Sequence, residues 1–168
     1  MRRAMQIGLV GVAASAALAG GVAAATGHGN GPPATRGHSE RMVTVGNVGQ
    51  NLAQLNVGDA AAGPGDYAVF KYDLSTEGKN AKKVGDAYVT CVTQFPPAGS
   101  QCEAVARFDG RGDVTFEGLA PVDITQDYVI AVTGGTGEFR NVRGELLIHT
   151  LSPAPLTQRF TLDLIGVR

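Results

Sequence analysis

Four polar side chains in this sequence have types that could act on a bound molecule: Tyr72, Tyr128, Asn47 and Asp59. Hydroxyl, amide and carboxyl groups of this kind can polarise one carbonyl or epoxide oxygen, because a donor aimed at an oxygen stabilises the charge that develops there. His149 is the only histidine in the part of the chain predicted to fold, and neither a Gly-x-Ser-x-Gly nor a His-Glu-x-x-His motif occurs. Catalytic triads and zinc sites therefore lack their parts, and we predict no metal site.

A glycine-rich turn follows an apolar strand in residues 128–145. Glycine allows the backbone to take positive φ and to turn sharply, which we expect at Gly134, Gly135 and Gly137. Phe139 and Val142 follow at a spacing of three, which predicts a one-turn helix that packs an apolar plug against the strand. A nucleotide-binding loop is not indicated, because an arginine replaces the third glycine of the dinucleotide fingerprint and no Lys-Ser/Thr pair follows.

Composition indicates one domain rich in strands and turns. The chain has 168 residues, 43% hydrophobic and 17% charged, and its 24 glycines are about twice the usual share, which suits many short strands joined by tight turns. A formal net charge of -1 favours neither nucleic acid nor an anionic membrane surface as a partner.

The N-terminus has the pattern of an export signal. Two arginines at positions 2 and 3 precede a short apolar run at 7–18, and alanines at 23–25 offer a cleavage site. We therefore predict a signal peptide at 1–25, a disordered linker at 26–40 and a domain at 41–168. The protein is expected to be secreted or exported to the cell envelope.

Eight strand-like segments separated by turn residues predict an all-β protein, an antiparallel barrel or a sandwich. The loop at 52–66 is expected at the mouth of a barrel, where long loops tend to carry function. The predicted strands are 41–48, 67–74, 84–95, 101–108, 113–119, 126–133, 145–151 and 158–165.

Alternation along these strands predicts which side chains face the interior. In the second predicted strand Phe70 and Tyr72 share the inner face, whereas Lys71 and Asp73 share the outer one. An apolar interior of this kind could bind a substrate, and the residues predicted to line it are Phe70, Phe116, Val89, Ile130 and Phe160.

The two cysteines flank a predicted hairpin. Pairing Cys91 with Cys102 also places Asp86 opposite Arg107, so two cross-strand pairs agree on one register. Because both cysteines follow an export signal, a disulfide that closes the hairpin is favoured over two free buried thiols.

Several spaced motifs resemble one family. Besides the glycine-rich turn, they are the segments 55–59, 83–85, 109–118 and 160–162. Together they span about 47–167 and resemble the barrel superfamily of allene oxide cyclases and dirigent proteins. The resemblance implies a small eight-stranded barrel that assembles as a homotrimer, or else a dimer, and works without a metal or organic cofactor.

One departure limits what the resemblance implies. Plant allene oxide cyclases place a carboxylate in the first strand, whereas Asn47 is the only polar side chain at about that position here. Two functions remain open. The first is a cofactor-independent cyclase, isomerase or dirigent-like protein that folds an apolar substrate and controls its stereochemistry, in secondary metabolism. The second is an exported barrel that binds a hydrophobic ligand without catalysis.

Overall fold

The computed structural model describes residues 37–49, 51–57 and 63–168. The predicted signal peptide, most of the predicted linker and Asp59 lie outside the described residues. The first strand begins at His38, three residues before the predicted start of the domain at Arg41, because His38 already pairs with Val167. In the described part of the chain, no helix has the length and apolar character needed to cross a membrane.

All eight predicted strands are present, and a ninth, short strand was missed. The missed strand, β2, is a four-residue segment in which every side chain is exposed, so its sequence carries no alternation that would reveal it. The strands are β1 (His38–Asn47), β2 (Leu52–Leu55), β3 (Tyr67–Ser75), β4 (Lys83–Thr93), β5 (Ser100–Phe108), β6 (Gly112–Ala120), β7 (Tyr128–Gly135), β8 (Arg143–Pro153) and β9 (Leu156–Val167).

The strands form a closed antiparallel barrel. They follow the order β1-β9-β8-β7-β6-β5-β4-β3, and β1 pairs with β3 to close the ring through Val45 and Ser75. β2 adds to the other half of β3, where Leu52 lies opposite Phe70. The predicted fold class, an all-β eight-stranded antiparallel barrel, is confirmed.

The predicted register of β4 against β5 is confirmed, and so is the prediction of which side chains face the barrel interior. Asp86 lies opposite Arg107 and Cys91 opposite Cys102. Most inward-facing side chains are buried and Phe70 and Val89 are half-buried, whereas Glu117, Glu145 and Asp163 on the outer face are exposed. The buried members are Tyr72, Leu74, Val114, Phe116, Leu146, Ile148, Phe160, Leu162 and Leu164.

One end of the barrel is closed by the predicted plug. A 3-10 helix at Gly137–Phe139 follows β7, and both Phe139 and Val142 are fully buried. Arg111, in the turn between β5 and β6, lies 4.7 Å from the centre of the Phe139 ring. Its guanidinium donates to Glu40 at 2.7 and 2.9 Å and to Glu138 at 2.7 Å, which ties β1 to the turn and to the helix.

Positive φ was expected at three glycines of the glycine-rich turn, and only one of them has it. Gly137 has a φ of 59°, but Gly134 and Gly135 lie outside the left-handed region. Gly135 is required for a different reason, since a Cβ there would lie 2.4 Å from the Asp113 carbonyl oxygen and 2.8 Å from the Phe139 Cβ. A Cβ at Gly134 would come no closer than 3.5 Å to its nearest neighbour, which is ordinary contact.

Candidate functional site

A cavity of about 740 Å³ occupies the half of the barrel opposite the plug. Its walls are inward-facing side chains of the strands, and its mouth is formed by the connecting loops. Among the described residues that line it, none is charged at neutral pH. Representative mouth residues are Leu52, Pro64, Pro96, Val122 and Pro155.

Three aromatic rings pack edge to face along one wall. The Tyr72 ring lies 5.8 Å from the Phe70 ring and 5.2 Å from the Phe160 ring, with interplanar angles near 90°. Gly46 on β1 makes room for this packing, because a Cβ there would lie 2.4 Å from the Phe160 ring. Edge-to-face contacts hold such rings in defined orientations, so the wall presents a fixed apolar surface to a ligand.

A chain of hydrogen bonds fixes the Tyr72 hydroxyl. Tyr72 donates to the Gln158 side-chain carbonyl at 2.6 Å, and the Gln158 amide nitrogen donates to the Thr150 hydroxyl at 3.0 Å. Thr150 in turn donates to the Ile124 carbonyl oxygen at 2.5 Å. Gln158, which is 2% exposed, was not among the predicted site residues. Its position two residues before the inward-facing Phe160 was the signal that could have revealed it.

Both cavity tyrosines remain protonated at neutral pH. Burial raises the pKa of the Tyr72 hydroxyl above its usual range, and the nearby Tyr128 hydroxyl adds to the rise. Burial also raises the pKa of Tyr128, while the Gln158 amide offsets part of that shift. The two hydroxyls therefore act as neutral hydrogen-bonding groups and not as phenolate bases.

The two tyrosines differ in whether the hydroxyl proton is already donated to a protein acceptor. The Tyr72 proton is engaged by Gln158, whereas no described residue accepts a hydrogen bond from the Tyr128 hydroxyl. Tyr128 lies at the start of β7, near the mouth, and is only partly buried. Its proton is therefore available to a ligand oxygen.

Of the eight predicted site residues that the structure describes, seven come together around the cavity and one, Asn47, does not. Asn47 is exposed on the outside of the mouth, where it donates to the Thr157 hydroxyl at 3.2 Å and accepts from the Gly49 amide at 2.7 Å. It does not line the cavity, and Asp59 is outside the described residues. The residues that do line it are Tyr72, Tyr128, Phe70, Val89, Phe116, Ile130 and Phe160.

The predicted disulfide is present and forms part of the cavity wall. Cys91 and Cys102 are bonded across β4 and β5, with their Cα atoms 4.1 Å apart, and both line the cavity. They pack against Phe70, Val89 and Tyr128. The disulfide thus fixes the cavity wall beside Tyr128.

A buried carboxylate joins two backbone positions near the mouth. Asp66 accepts backbone hydrogen bonds from Val57 at 2.6 Å and from Gly63 at 2.7 Å, and these bonds hold its pKa below the usual range. The Asp66 carboxylate is engaged by these two backbone amides and does not line the cavity.

His149 lies on the outside of the barrel. Its Nδ1 lies 2.6 Å from the Asp127 carboxylate, and its side chain is about half exposed. Nowhere in residues 37–49, 51–57 and 63–168 do three or more His, Cys, Asp or Glu side chains form a group suited to a metal ion.

Comparison with known proteins gives structural neighbours only, since no family model and no curated protein matches this chain. Pyocyanin demethylase is 28% identical with a TM-score of 0.62, covering 74% of this chain and 99% of that one. The pterocarpan synthase dirigent protein PsPTS1 is 14% identical with a TM-score of 0.68, covering 79% and 98%. The Diels Alderase AbmU from Streptomyces koyangensis is 15% identical with a TM-score of 0.62, covering 76% and 64%. The chain therefore has the same barrel fold as these neighbours, in agreement with the fold that the sequence resemblance implied.

Proposed function

We propose that this barrel binds a largely apolar small molecule and holds it in a reactive shape, as a cyclase, isomerase or dirigent-like protein of secondary metabolism. The observation that carries the proposal is the cavity itself, an open space of about 740 Å³ whose described lining contains no charged side chain. Ligand pockets for molecules of drug size have volumes of roughly 300 to 1,000 Å³ and mostly apolar walls.

Orientation is the main catalytic contribution in this proposal. A flexible chain folded against the rigid wall of Phe70, Tyr72 and Phe160 loses its freedom on binding, before the reaction begins. Holding reacting atoms in contact in this way can contribute about 7 to 11 kcal/mol to lowering a barrier. Ring closure and isomerisation are redox-neutral, so the proposed reaction consumes no oxidant or reductant.

One hydroxyl can add electrostatic stabilisation. The Tyr128 proton, which no described residue accepts, can be donated to a carbonyl or epoxide oxygen as negative charge develops on it. Tyr72, whose proton is engaged by Gln158, instead holds the aromatic wall in place. The neighbours named above include a dirigent protein and a Diels Alderase, which supports this kind of chemistry on this fold.

We further propose that the protein acts after export, in the cell envelope or outside the cell. The arginine pair, apolar run and alanine-rich site of the N-terminus support this location. The disulfide is consistent with it, because disulfides persist in oxidising compartments.

The test is incubation of the purified protein with candidate linear polyene or polyketide precursors, without cofactor, followed by mass spectrometry and chiral chromatography. We expect a product of unchanged mass and defined configuration. Phe70→Ala and Phe116→Ala should scramble the configuration or release uncyclised substrate, whereas Tyr88→Ala, an aromatic residue on the outer face of β4, should change nothing. Product configuration that survives both cavity substitutions would contradict the proposal.

A non-catalytic exported binder uses the same cavity, and the absence of charged groups from its described lining suits binding alone equally well. In that case affinity for apolar ligands falls in Phe70→Ala and Phe116→Ala, and no ligand changes covalently. Equilibrium binding measured beside the product analysis separates the two functions.

A further inference from the structure

Thr44 differs from the other polar groups of the cavity wall. It lines the cavity and is 4% exposed, and its hydroxyl oxygen is buried without a hydrogen-bond partner among the described residues. By contrast, Tyr72 and Gln158 are hydrogen-bonded to each other. Burial of an unpartnered hydroxyl is costly, so the side chain is unfavourable for the protein alone.

Thr44 also lies deeper than the polar pair. Along β1 and β9, Gly46 lies opposite Gln158 and Thr44 lies opposite Phe160, one inward-facing layer closer to the plug. The next inward residue of β1 is Met42, which packs against the apolar core. A ligand that fills the cavity to its floor therefore meets a single hydroxyl surrounded by apolar side chains.

We propose that Thr44 anchors an oxygen-bearing end of the ligand, a carbonyl or hydroxyl group at the tip of an otherwise apolar molecule. This inference rests on the proposed function and names the ligand class for the same cavity. A threonine hydroxyl donates and accepts, so it pairs with either group. Rotation about the Cα–Cβ bond exchanges its hydroxyl with its methyl group, and this brings the oxygen to the cavity surface when a partner arrives.

The ligand binds in one orientation in this proposal. The oxygen enters first and binds Thr44, and the apolar remainder lies along the aromatic wall toward the mouth. A second oxygen, if the ligand has one, lies beside the Tyr128 side chain, which also lines the cavity. A hydrocarbon of the same shape fills the cavity but leaves the Thr44 hydroxyl unpartnered.

The test compares two probes of matched shape, 2-acetylnaphthalene and 2-isopropenylnaphthalene, in which a C=O group replaces a C=CH₂ group. We expect the full chain to bind the ketone roughly tenfold more tightly, the ratio that about 1.4 kcal/mol provides. Thr44→Val should abolish this preference and leave the affinity for the hydrocarbon unchanged, whereas Thr44→Ser should retain it. Thr161→Val is the matched control, because Thr161 is similarly buried but does not line the cavity.

Thermal melting without ligand gives a second, independent readout. Thr44→Val should melt at a higher temperature than the wild type, since a methyl group replaces an unpartnered hydroxyl. A ketone preference that persists in Thr44→Val, or a melting temperature lowered in that variant relative to Thr161→Val, would overturn the role of Thr44 while leaving the proposed function intact. Failure of the wild type to bind either naphthalene would overturn both proposals together.

Discussion

Two tyrosines with the same chemistry are placed differently in this cavity. Tyr72 is 4% exposed and donates its proton to Gln158, whereas Tyr128 is only partly buried and its proton has no acceptor among the described residues. The sequence alone does not distinguish them, because residue type and alternation do not report hydrogen-bond partners. We therefore expect Tyr72 to position the aromatic wall and Tyr128 to offer its proton to a ligand.

The first prediction follows from this difference. Tyr72→Phe should lower the free energy of unfolding by about 1 to 2 kcal/mol, because it leaves the buried Gln158 carbonyl without its donor. Tyr128→Phe should cost less stability but lower turnover of a substrate by about 100-fold, the order of effect of removing one donor to a developing oxyanion. Urea denaturation and the product assay measure the two effects. The reverse order of stability losses would show that the roles are exchanged.

The second prediction concerns pH and the ion pair at the closed end. The hydrogen bond from Arg111 holds the pKa of Glu40 below its ordinary value of 4.5. Because the folded-state pKa is depressed, the stabilisation is fully present above the unfolded-state pKa and is lost as the pH falls through the folded-state pKa. Glu40→Gln should therefore lower the free energy of unfolding by about 2 kcal/mol at pH 7.

The difference between Glu40→Gln and the wild type should shrink as the pH falls below 4.5. Asp163→Asn is the control, because Asp163 and its partner Arg41 are both more than half exposed at a separation of 3.5 Å. Exposed pairs of this kind contribute little. Urea titrations at several pH values provide the test, and a loss in Glu40→Gln that is constant down to pH 3 would contradict the assignment.

At the scale of the elements, the end of β7 shows why adjacent glycines are not equivalent. Gly135 lies against the Asp113 carbonyl and the Phe139 side chain, so the plug can pack only if no Cβ intervenes. A Cβ at Gly134 would make only ordinary contacts, and its backbone is part of the β7 strand. The requirement for glycine therefore belongs to the packing of the 3-10 helix on the strand.

The third prediction tests this account. Gly135→Val should lower the free energy of unfolding by about 3 kcal/mol, because overpacking of this kind forces the backbone apart. Gly134→Val should be nearly neutral, since a β-branched residue suits an extended strand. Differential scanning calorimetry of the two variants gives the comparison, and equal losses in both would show that the turn, and not the plug, needs glycine.

At the scale of the whole molecule, the outside of the barrel carries an apolar strip on β7 and β8. Val129 is 51% exposed and lies opposite Leu147, and Leu151 on the same face of β8 is 44% exposed. Apolar side chains that adjoin on an outer wall mark a surface that other molecules cover. We predict that a second copy of this chain covers it, in a closed symmetric assembly.

The fourth prediction is a trimer. Light scattering of the full chain at micromolar concentration should give three times the mass of one chain, and Val129→Lys combined with Leu147→Lys should give monomers. Val105→Lys, on the outer face of β5, is the control and should leave the assembly intact. A monomeric wild type would contradict this prediction.

Local sequence patterns were enough to predict an all-β fold, barrel or sandwich, and the family resemblance implied the barrel. Alternation decided which side chains of β3, β6 and β9 face inward, because successive side chains of a strand point to opposite sides. Spacing around a hairpin was enough to pair Cys91 with Cys102, since residues close in the chain have few registers available. The seven residues that line the cavity as predicted were found in this way.

Other features depended on where distant strands meet after closure. The bond between Tyr72 and Gln158 spans 86 residues, and the pair of Arg111 with Glu40 spans 71. Asn47 illustrates the same dependence, because its place at the end of β1 left it outside the mouth. Periodicity in a sequence reports the face of one strand, whereas contact between strands far apart in the chain is decided by barrel closure and register, which only the tertiary structure contains.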